Sequence, residues 1–299
     1  MLLLLRDGLV LLTARVDLPP PTAAAPALRQ LSGLAEQHQA SGMVLFAYGT
    51  DPGPTRELVH LLIDGLEPQG LLDALYVDQT RWWSLMCGSG CCPHDGTPYD
   101  LSSHPMAAEA VYAGLTLAGG RSEVEARVAG PAAGDHDRLE AVTAVAHREL
   151  ASLDPAQRRS RMAGFVADFL AAPRRLSEAE CAQLSVLTLD VSVRDVAWSA
   201  MSREAADDHV NLWEQVVAHT VPPGEVAPLC LLGMAAWISG NGALQNCCTD
   251  RARRVDPQYS MARLLDEINR RALPPTFWDQ ISSDVERAVG PLARWAGGR

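Results

Sequence analysis

The residues of this sequence that could carry chemistry are concentrated in one short segment, residues 81–98. Three of the seven cysteines, Cys87, Cys91 and Cys92, lie there together with His94. Thiolate and imidazole groups are preferred ligands of zinc, so a zinc site built from these four residues is one interpretation. The spacing differs from a Cys-x-x-Cys knuckle, and adjacent cysteines rarely ligate one ion. At most three of the four residues would therefore bind, with a fourth ligand from elsewhere.

The same thiols have other interpretations. Cys87 could form a redox-active or structural disulfide with Cys91 or Cys92, although a reducing compartment disfavours it. The thiols could instead fill small apolar spaces in the core, as cysteine commonly does. A nucleophile would pair Cys91 or Cys92 with a histidine, but no Asn or Asp is identifiable to orient that histidine. The sequence leaves metal binding, disulfide formation and core packing open.

Large aromatic side chains precede the cysteines. Residues 81–86 are predicted to form a strand, in which Trp82 and Trp83 point to opposite faces of the sheet. An exposed tryptophan beside an arginine is typical of a protein interface. The alternative is that helices cover both faces and both rings belong to the core. Arg81, Trp82 and Trp83 are therefore a candidate interaction site.

The absence of lysine excludes several classes of enzyme. All 25 basic residues are arginine, so the sequence contains no Walker A loop and no lysine for Schiff-base catalysis. It also contains no GxSxG, HExxH or GxGxxG motif and no EF-hand loop. These absences favour a non-catalytic interaction or regulatory protein. The alternative is a small-molecule enzyme, or a metal or redox sensor, that uses residues 87–94.

Composition and charge limit the partners. The net charge of −11 argues against a surface for nucleic-acid phosphates. The longest apolar runs fall far short of the roughly 20 residues that span a bilayer, and the first residues do not resemble a secretory signal. An odd number of cysteines fits a reducing compartment. We expect a cytoplasmic protein that binds a protein partner or self-associates, without a nucleic-acid or membrane partner.

The first 120 residues alternate between strand and helix patterns. Asp7-Gly8 between two apolar runs predicts a hairpin. Apolar residues at helical spacing predict helices over 23–39 and 55–65. A continuous apolar run predicts a buried strand over 43–48, and residues 72–77 and 81–86 predict a strand pair around 78–80. This β-β-α-β-α-β-β order predicts an α/β domain over residues 1–120, with a mixed sheet that carries the cysteine segment.

The rest of the chain is predicted to be helical. A Gly- and Ala-rich stretch over 118–134 marks a boundary, and residues 135–299 are expected to form an antiparallel helical domain. Ser177 and Glu180 form a capping-box pattern. Residues 237–273 resemble a single tetratricopeptide hairpin, and the alternative is an ordinary helical hairpin that closes the core. The predicted helices cover residues 104–117, 138–152, 155–171, 178–189, 195–201, 207–219, 225–238, 242–255, 259–272 and 282–289.

Several short motifs, spread over nearly the whole sequence, match a known family. They are Arg15-Val16-Asp17-Leu18-Pro19-Pro20, Arg81-Trp82-Trp83-Ser84, Cys87, Cys91-Cys92-Pro93, Gly96-Thr97-Pro98, Trp237, Gly240-Asn241-Gly242-Ala243, Asp256-Pro257 and Tyr259. In these residues the sequence resembles an actinobacterial domain of unknown function numbered 4192. The resemblance implies a cytoplasmic bacterial protein and supplies no activity. Members of that family usually carry a segment ahead of the hairpin, so we expect either that the start codon was assigned late or that the sheet lacks an element, and a site that used the segment would be missing here.

Overall fold

The computed structural model describes residues 1–88, 90–100, 105–106, 109 and 120–282. The chain divides into two compact units, Met1–Leu117 and Ala118–Arg299. The first contains a six-stranded mixed sheet with helices, and the second is helical. The predicted fold class is therefore confirmed.

The chain begins with the predicted hairpin. Strands β1 (Leu2–Arg6) and β2 (Leu9–Ala14) pair antiparallel. The two turn residues, Asp7 and Gly8, have φ angles of 53° and 78°. Positive φ at both central positions belongs to a type I′ turn, whose twist matches that of the flanking strands. The Asp-Gly pair therefore specifies this turn locally.

The sheet of the first unit has the strand order β2-β1-β3-β4-β5-β6. Strands β3 and β4 run parallel, joined through a helix, and the other neighbours pair antiparallel. The predicted strands and helices of this unit are present with shifted ends. Strand β6 was not predicted. The remaining elements of this unit are α1 (Ala24–Gln37), β3 (Gly42–Tyr48), α2 (Pro52–Leu66), β4 (Leu71–Val77), β5 (Arg81–Ser84) and β6 (Thr97–Pro98).

Helix α2 covers one face of this sheet. It begins at Pro52 because Asp51 caps it, accepting a hydrogen bond from the Gly53 amide at 3.1 Å. The predicted start at residue 55 was late, although Asp51-Pro52 is itself a start signal. Leu58 and Val59 are buried where α2 contacts β3 and β4. Helix α2 thus covers the face of the sheet that β3 and β4 present to it.

The second unit consists of helices linked by short loops. Helix α3 lies inside the stretch that was predicted to be a boundary. The predicted helices over 104–117 and 282–289 fall almost entirely outside the described residues. The helices are α3 (Arg121–Arg127), α4 (His136–Ala151), α5 (Pro155–Ala171), α6 (Glu178–Leu187), α7 (Val191–Ser199), α8 (Ala206–His219), α9 (Val226–Ile238), α10 (Gly242–Val255) and α11 (Ser260–Arg270).

Side-chain caps account for several of these helix starts. The predicted capping box of Ser177 and Glu180 is present at the start of α6. A second box, which was not predicted, joins Asp154 and Gln157 at the start of α5. Helix α7 begins at Val191 and not at residue 195, because the carboxylate of Asp190 accepts a hydrogen bond from the Ser192 amide.

Helix α9 is the central element of the second unit. Every residue from Val226 to Ile238 is buried. The helix contacts α7, α8, α10 and α11, so it has no face toward solvent.

Among the described residues, the structure contains no helix with the length and apolar character needed to span a membrane.

Candidate functional site

The cysteine segment forms a loop whose two ends are held by neighbouring strands. Strand β5 leads into the loop and β6 follows it, and the two strands pair through Arg81 with Pro98 and Trp82 with Thr97. Two residues are too few for a sequence pattern to reveal a strand, so β6 was missed. Its pairing closes the segment into a loop anchored to the edge of the sheet.

Three thiols converge in this loop. The Sγ atoms of Cys87, Cys91 and Cys92 all lie within 4.8 Å of one another. Those of Cys87 and Cys91 are 3.3 Å apart, which is longer than the roughly 2.05 Å of a disulfide bond. Cys91 is exposed, and Cys87 and Cys92 are half-buried. These positions do not fit the interpretation that the thiols fill the core.

Mutual hydrogen bonding sets the chemistry of the thiols. Hydrogen bonding with Cys87, with contributions from burial and from Cys91, raises the pKa of Cys92 to about 11. The cause is that a thiolate at Cys92 would stand beside two other sulfur atoms. Without a cation in their midst, the three sulfurs favour the protonated state of Cys92 at neutral pH.

His94 lies outside the group of converging ligand atoms. Its side chain is exposed, and the group consists of the three thiols. The structure thus brings together three of the four predicted ligands. At most three of the four were predicted to bind one ion, but the cysteine spacing did not reveal that the adjacent Cys91 and Cys92 would both be among them.

Arg81 braces the end of the loop. Its Nη1 atom donates hydrogen bonds to the carbonyl oxygens of Asp95 at 3.0 Å and Gly96 at 2.9 Å. The same atom lies 3.6 Å from the Asp95 carboxylate, whose side chain is 82% exposed. Two backbone acceptors are thereby satisfied by a charged donor. Arg81 is also a predicted interaction residue, and the contacts that its guanidinium makes in this structure are with its own chain.

Trp83 packs on the helix-covered face of the sheet, directly beneath the end of the loop. Its ring lies 5.2 Å from that of Tyr76, and the guanidinium of Arg56 lies 5.0 Å from the Trp83 ring centroid. A Cβ atom on Gly96 would approach the Trp83 ring to 2.4 Å, and Gly96 has a φ of +80°. Glycine is therefore required at position 96 for two independent reasons.

Trp82 lies on the opposite face of the sheet. It pairs with Val77, which in turn pairs with Tyr48, whereas Trp83 pairs with Tyr76. Residues paired directly across strands share a face. The two tryptophans therefore point to opposite faces, as the sequence predicts. Both are half-buried, and Tyr48 is 54% exposed.

The other four cysteines are buried in the second unit. They are Cys181, Cys230, Cys247 and Cys248. Burial raises the pKa of Cys181 and that of Cys230 to about 12. Desolvation disfavours their thiolate forms, so these groups are poor nucleophiles and poor metal ligands at neutral pH. The described thiols therefore fall into a partly exposed cluster and a set that packs in the core of the second unit.

Comparison with known proteins identifies a family and no activity. No curated protein and no solved structure matches the chain. One family model, described as Domain of unknown function (DUF4192), matches residues 1–276. The match includes the hairpin, the thiol loop and helices α1 to α11. The chain therefore belongs to the DUF4192 family of domains of unknown function.

Proposed function

We propose that the protein is a non-catalytic regulatory protein that binds a thiophilic metal ion, foremost zinc, through Cys87, Cys91 and Cys92. The observation that carries this proposal is the convergence of the three Sγ atoms within 4.8 Å of one another. Thiolate is the ligand that distinguishes zinc and other soft ions from magnesium and calcium.

The sulfur separations suit such an ion. With a zinc–sulfur distance of about 2.3 Å, tetrahedral geometry requires sulfur atoms roughly 3.8 Å apart, and trigonal geometry roughly 4.0 Å. The Cys87–Cys91 separation of 3.3 Å and the upper limit of 4.8 Å bracket both values. Side-chain rotations that move the sulfur atoms by up to about 1 Å would therefore complete the donor set.

The exposure of the cluster suits exchange of the ion. Structural zinc sites are closed by four protein ligands, whereas three ligands leave one position for water or for a group from a partner. Cys91 is exposed, so solvent reaches the cluster. An accessible position of this kind fits an ion that is sensed or transferred. A reducing cytoplasm, which we infer from the odd number of cysteines, would keep the thiols available.

The test is a metal titration of the full chain under reducing conditions. After treatment with chelator, the protein is titrated with Co²⁺ and then with Zn²⁺, following the thiolate-to-cobalt absorption and its loss. We expect one ion per chain, and loss of the signal in Cys87→Ser, Cys91→Ser and Cys92→Ser. Cys181→Ser is the matched control, since a serine hydroxyl can keep the hydrogen bond to the Gln215 carbonyl. Binding that survives all three cluster substitutions would refute the proposal.

A second candidate function is association through the sheet face that contains Trp82. Arg81 and Trp83 are engaged within the chain, so the predicted interaction site narrows to Trp82 together with Tyr48 on the same face. Half-exposed aromatic rings in a row are typical of interface cores. Sedimentation of the wild type and of Trp82→Ala tests this proposal. A wild type that stays monomeric at all concentrations contradicts self-association.

A further inference from the structure

The Cys87–Cys91 pair of sulfurs in the thiol cluster points to a reaction in addition to the proposed metal binding. Cys87 Sγ and Cys91 Sγ lie 3.3 Å apart. A disulfide requires them to approach by roughly another 1.3 Å, to about 2.05 Å. Small rotations of the two side chains cover that distance. These two thiols are therefore arranged both to hold an ion and to be joined covalently.

The chain around the pair leaves room for this approach. Gly88 follows Cys87 and Gly90 precedes Cys91, and a Cβ atom on either glycine would meet no atom within 4 Å. Gly90 has a φ of +70°, a conformation that glycine adopts without strain. Open space and glycines next to both cysteines allow the ring to close.

The alternative disulfide between Cys91 and Cys92 is disfavoured by geometry. Consecutive Cα atoms are about 3.8 Å apart across a trans peptide. The Cα atoms of ordinary disulfides are about 4.4–6.8 Å apart, so bridging neighbouring residues strains the peptide between them. Cys87 is consequently the partner that can resolve an oxidised Cys91.

We propose that hydrogen peroxide converts Cys87 and Cys91 into a disulfide, and that this reaction releases the metal ion from the cluster. The inference about release rests on the proposed function, because it requires the three thiols to bind the ion. Disulfide formation does not depend on the metal. Oxidation would then release the ion from the site.

The reaction proceeds in two steps. Cys91 reacts first because it is the exposed member of the pair. Its Sγ attacks one peroxide oxygen, the O–O bond breaks, one water leaves and Cys91 becomes a sulfenic acid. Cys87 Sγ then attacks Cys91 Sγ, the S–O bond breaks, and the hydroxyl leaves as a second water with the Cys87 proton. Two thiols and one peroxide thus give one disulfide and two waters, with two electrons passing to the peroxide.

The disulfide removes two of the three donors. Cys92 remains as the one thiol of the cluster, and a lone thiol cannot retain an ion that three thiolates held. Reduction of the disulfide restores the donor set. The cluster can therefore hold the metal ion or contain the Cys87–Cys91 disulfide, but not both at once.

The test combines a chromogenic zinc chelator with peptide mass spectrometry on the full, zinc-loaded chain. Because the chain has no lysine, trypsin cleaves after Arg81 and Arg121 and gives one peptide, residues 82–121, that contains all three cysteines. We expect peroxide to remove two hydrogens from this peptide and to release all of the bound zinc. Dithiothreitol should reverse both changes. Cys92→Ser should still form the disulfide, whereas Cys87→Ser and Cys91→Ser should not.

Two results would overturn the proposal. One is a peptide that gains oxygen atoms at Cys91 without losing two hydrogens. The other is disulfide formation that persists in Cys91→Ser. Failure of the proposed function would be recognised separately. In that case the wild type would bind no zinc under reducing conditions, whether or not peroxide oxidises its thiols. A disulfide that forms while zinc stays bound would refute the coupling alone.

Discussion

The Nη1 atom of Arg81 donates a hydrogen bond to the carbonyl oxygen of Gly96 across 2.9 Å. The first residue of β5 thereby holds the last turn of the loop that contains the three thiols. Gly96 in turn lies against the ring of Trp83. The position of the thiols consequently depends on residues that could not themselves ligate a metal.

Loss of the Arg81 guanidinium should loosen the loop. Arg81→Gln removes a charged donor from two carbonyl oxygens, and hydrogen bonds to charged groups contribute about 1.5–3 kcal/mol. We expect a loss of about 1–2 kcal/mol of stability, because Arg81 is partly exposed, together with weaker Co²⁺ binding. Urea unfolding and the cobalt titration measure the two effects.

Asp95→Asn is the matched control for that substitution. It removes the exposed carboxylate 3.6 Å from Arg81 and keeps the Asp95 backbone carbonyl. Ion pairs of this kind contribute about 0–1 kcal/mol, so this variant should stay close to the wild type. If Asp95→Asn weakened metal binding as much as Arg81→Gln, the carbonyl hydrogen bonds would not be what orders the loop.

A methyl group at position 96 should damage the site more than one at position 90. Gly96 and Gly90 both have positive φ, but a Cβ atom at 96 would meet the Trp83 ring at 2.4 Å and one at 90 would meet open space. Gly90→Ala should lose only about 1–2 kcal/mol from the left-handed backbone. Gly96→Ala adds overpacking, which costs about 1–3 kcal/mol more. Near-ultraviolet circular dichroism and urea unfolding measure the difference, and equal losses would contradict this account of Gly96.

Zinc affinity should rise with pH. The metal requires thiolates, and hydrogen bonding with Cys87 raises the pKa of Cys92 to about 11 in the metal-free protein, so binding must release its proton. Each released proton adds a factor of up to about ten in affinity per pH unit. Calorimetry in buffers of different ionisation enthalpy counts these protons. A wild type that releases none would show that the cysteines do not coordinate the ion as thiolates.

The free energy of unfolding should fall in acid because of His209. Burial lowers the pKa of His209 to about 4, below its usual value of 6.5. Between these values the unfolded chain binds a proton that the folded chain excludes, so stability is complete above pH 6.5 and falls toward pH 4. The slope reaches at most about 1.4 kcal/mol per pH unit. Urea unfolding of the wild type and of His209→Gln, which does not titrate, measures it.

The exposed His60 provides the control for the pH series. His60→Gln should keep the wild-type slope between pH 4 and pH 6.5, because replacing a solvated side chain leaves the burial of His209 unchanged. If His209→Gln and His60→Gln both followed the wild-type curve, another group would be responsible for the loss of stability in acid.

Local patterns predicted most of the fold. The Asp7-Gly8 turn, the apolar run of β3 and the capping box before α6 each depend on residues close in sequence. The elements that were not predicted depend on contacts between residues distant in sequence, or have only a weak sequence pattern. Strand β6 exists because Arg81 and Trp82 pair with it, and α3 lies in a Gly- and Ala-rich stretch that suggested a boundary.

The candidate site was predicted less completely than the fold. Residue types marked Cys87, Cys91 and Cys92 as candidate metal ligands, but spacing argued against their convergence. The convergence depends on a loop closed by β6 and braced by Arg81, which are contacts between residues distant in sequence. His94 was included because it is close in sequence, and the structure leaves it outside the group.

The burial of α9 on every side has a consequence for the motions of the second unit. Its backbone amides can exchange with deuterium only when α7, α8, α10 or α11 separates from it. The slowest exchange in this unit should therefore be that of α9, and its rate should report the opening of the whole helical array. Helices at the margin, such as α3, can fray on their own, so α9 marks the set of helices that opens cooperatively.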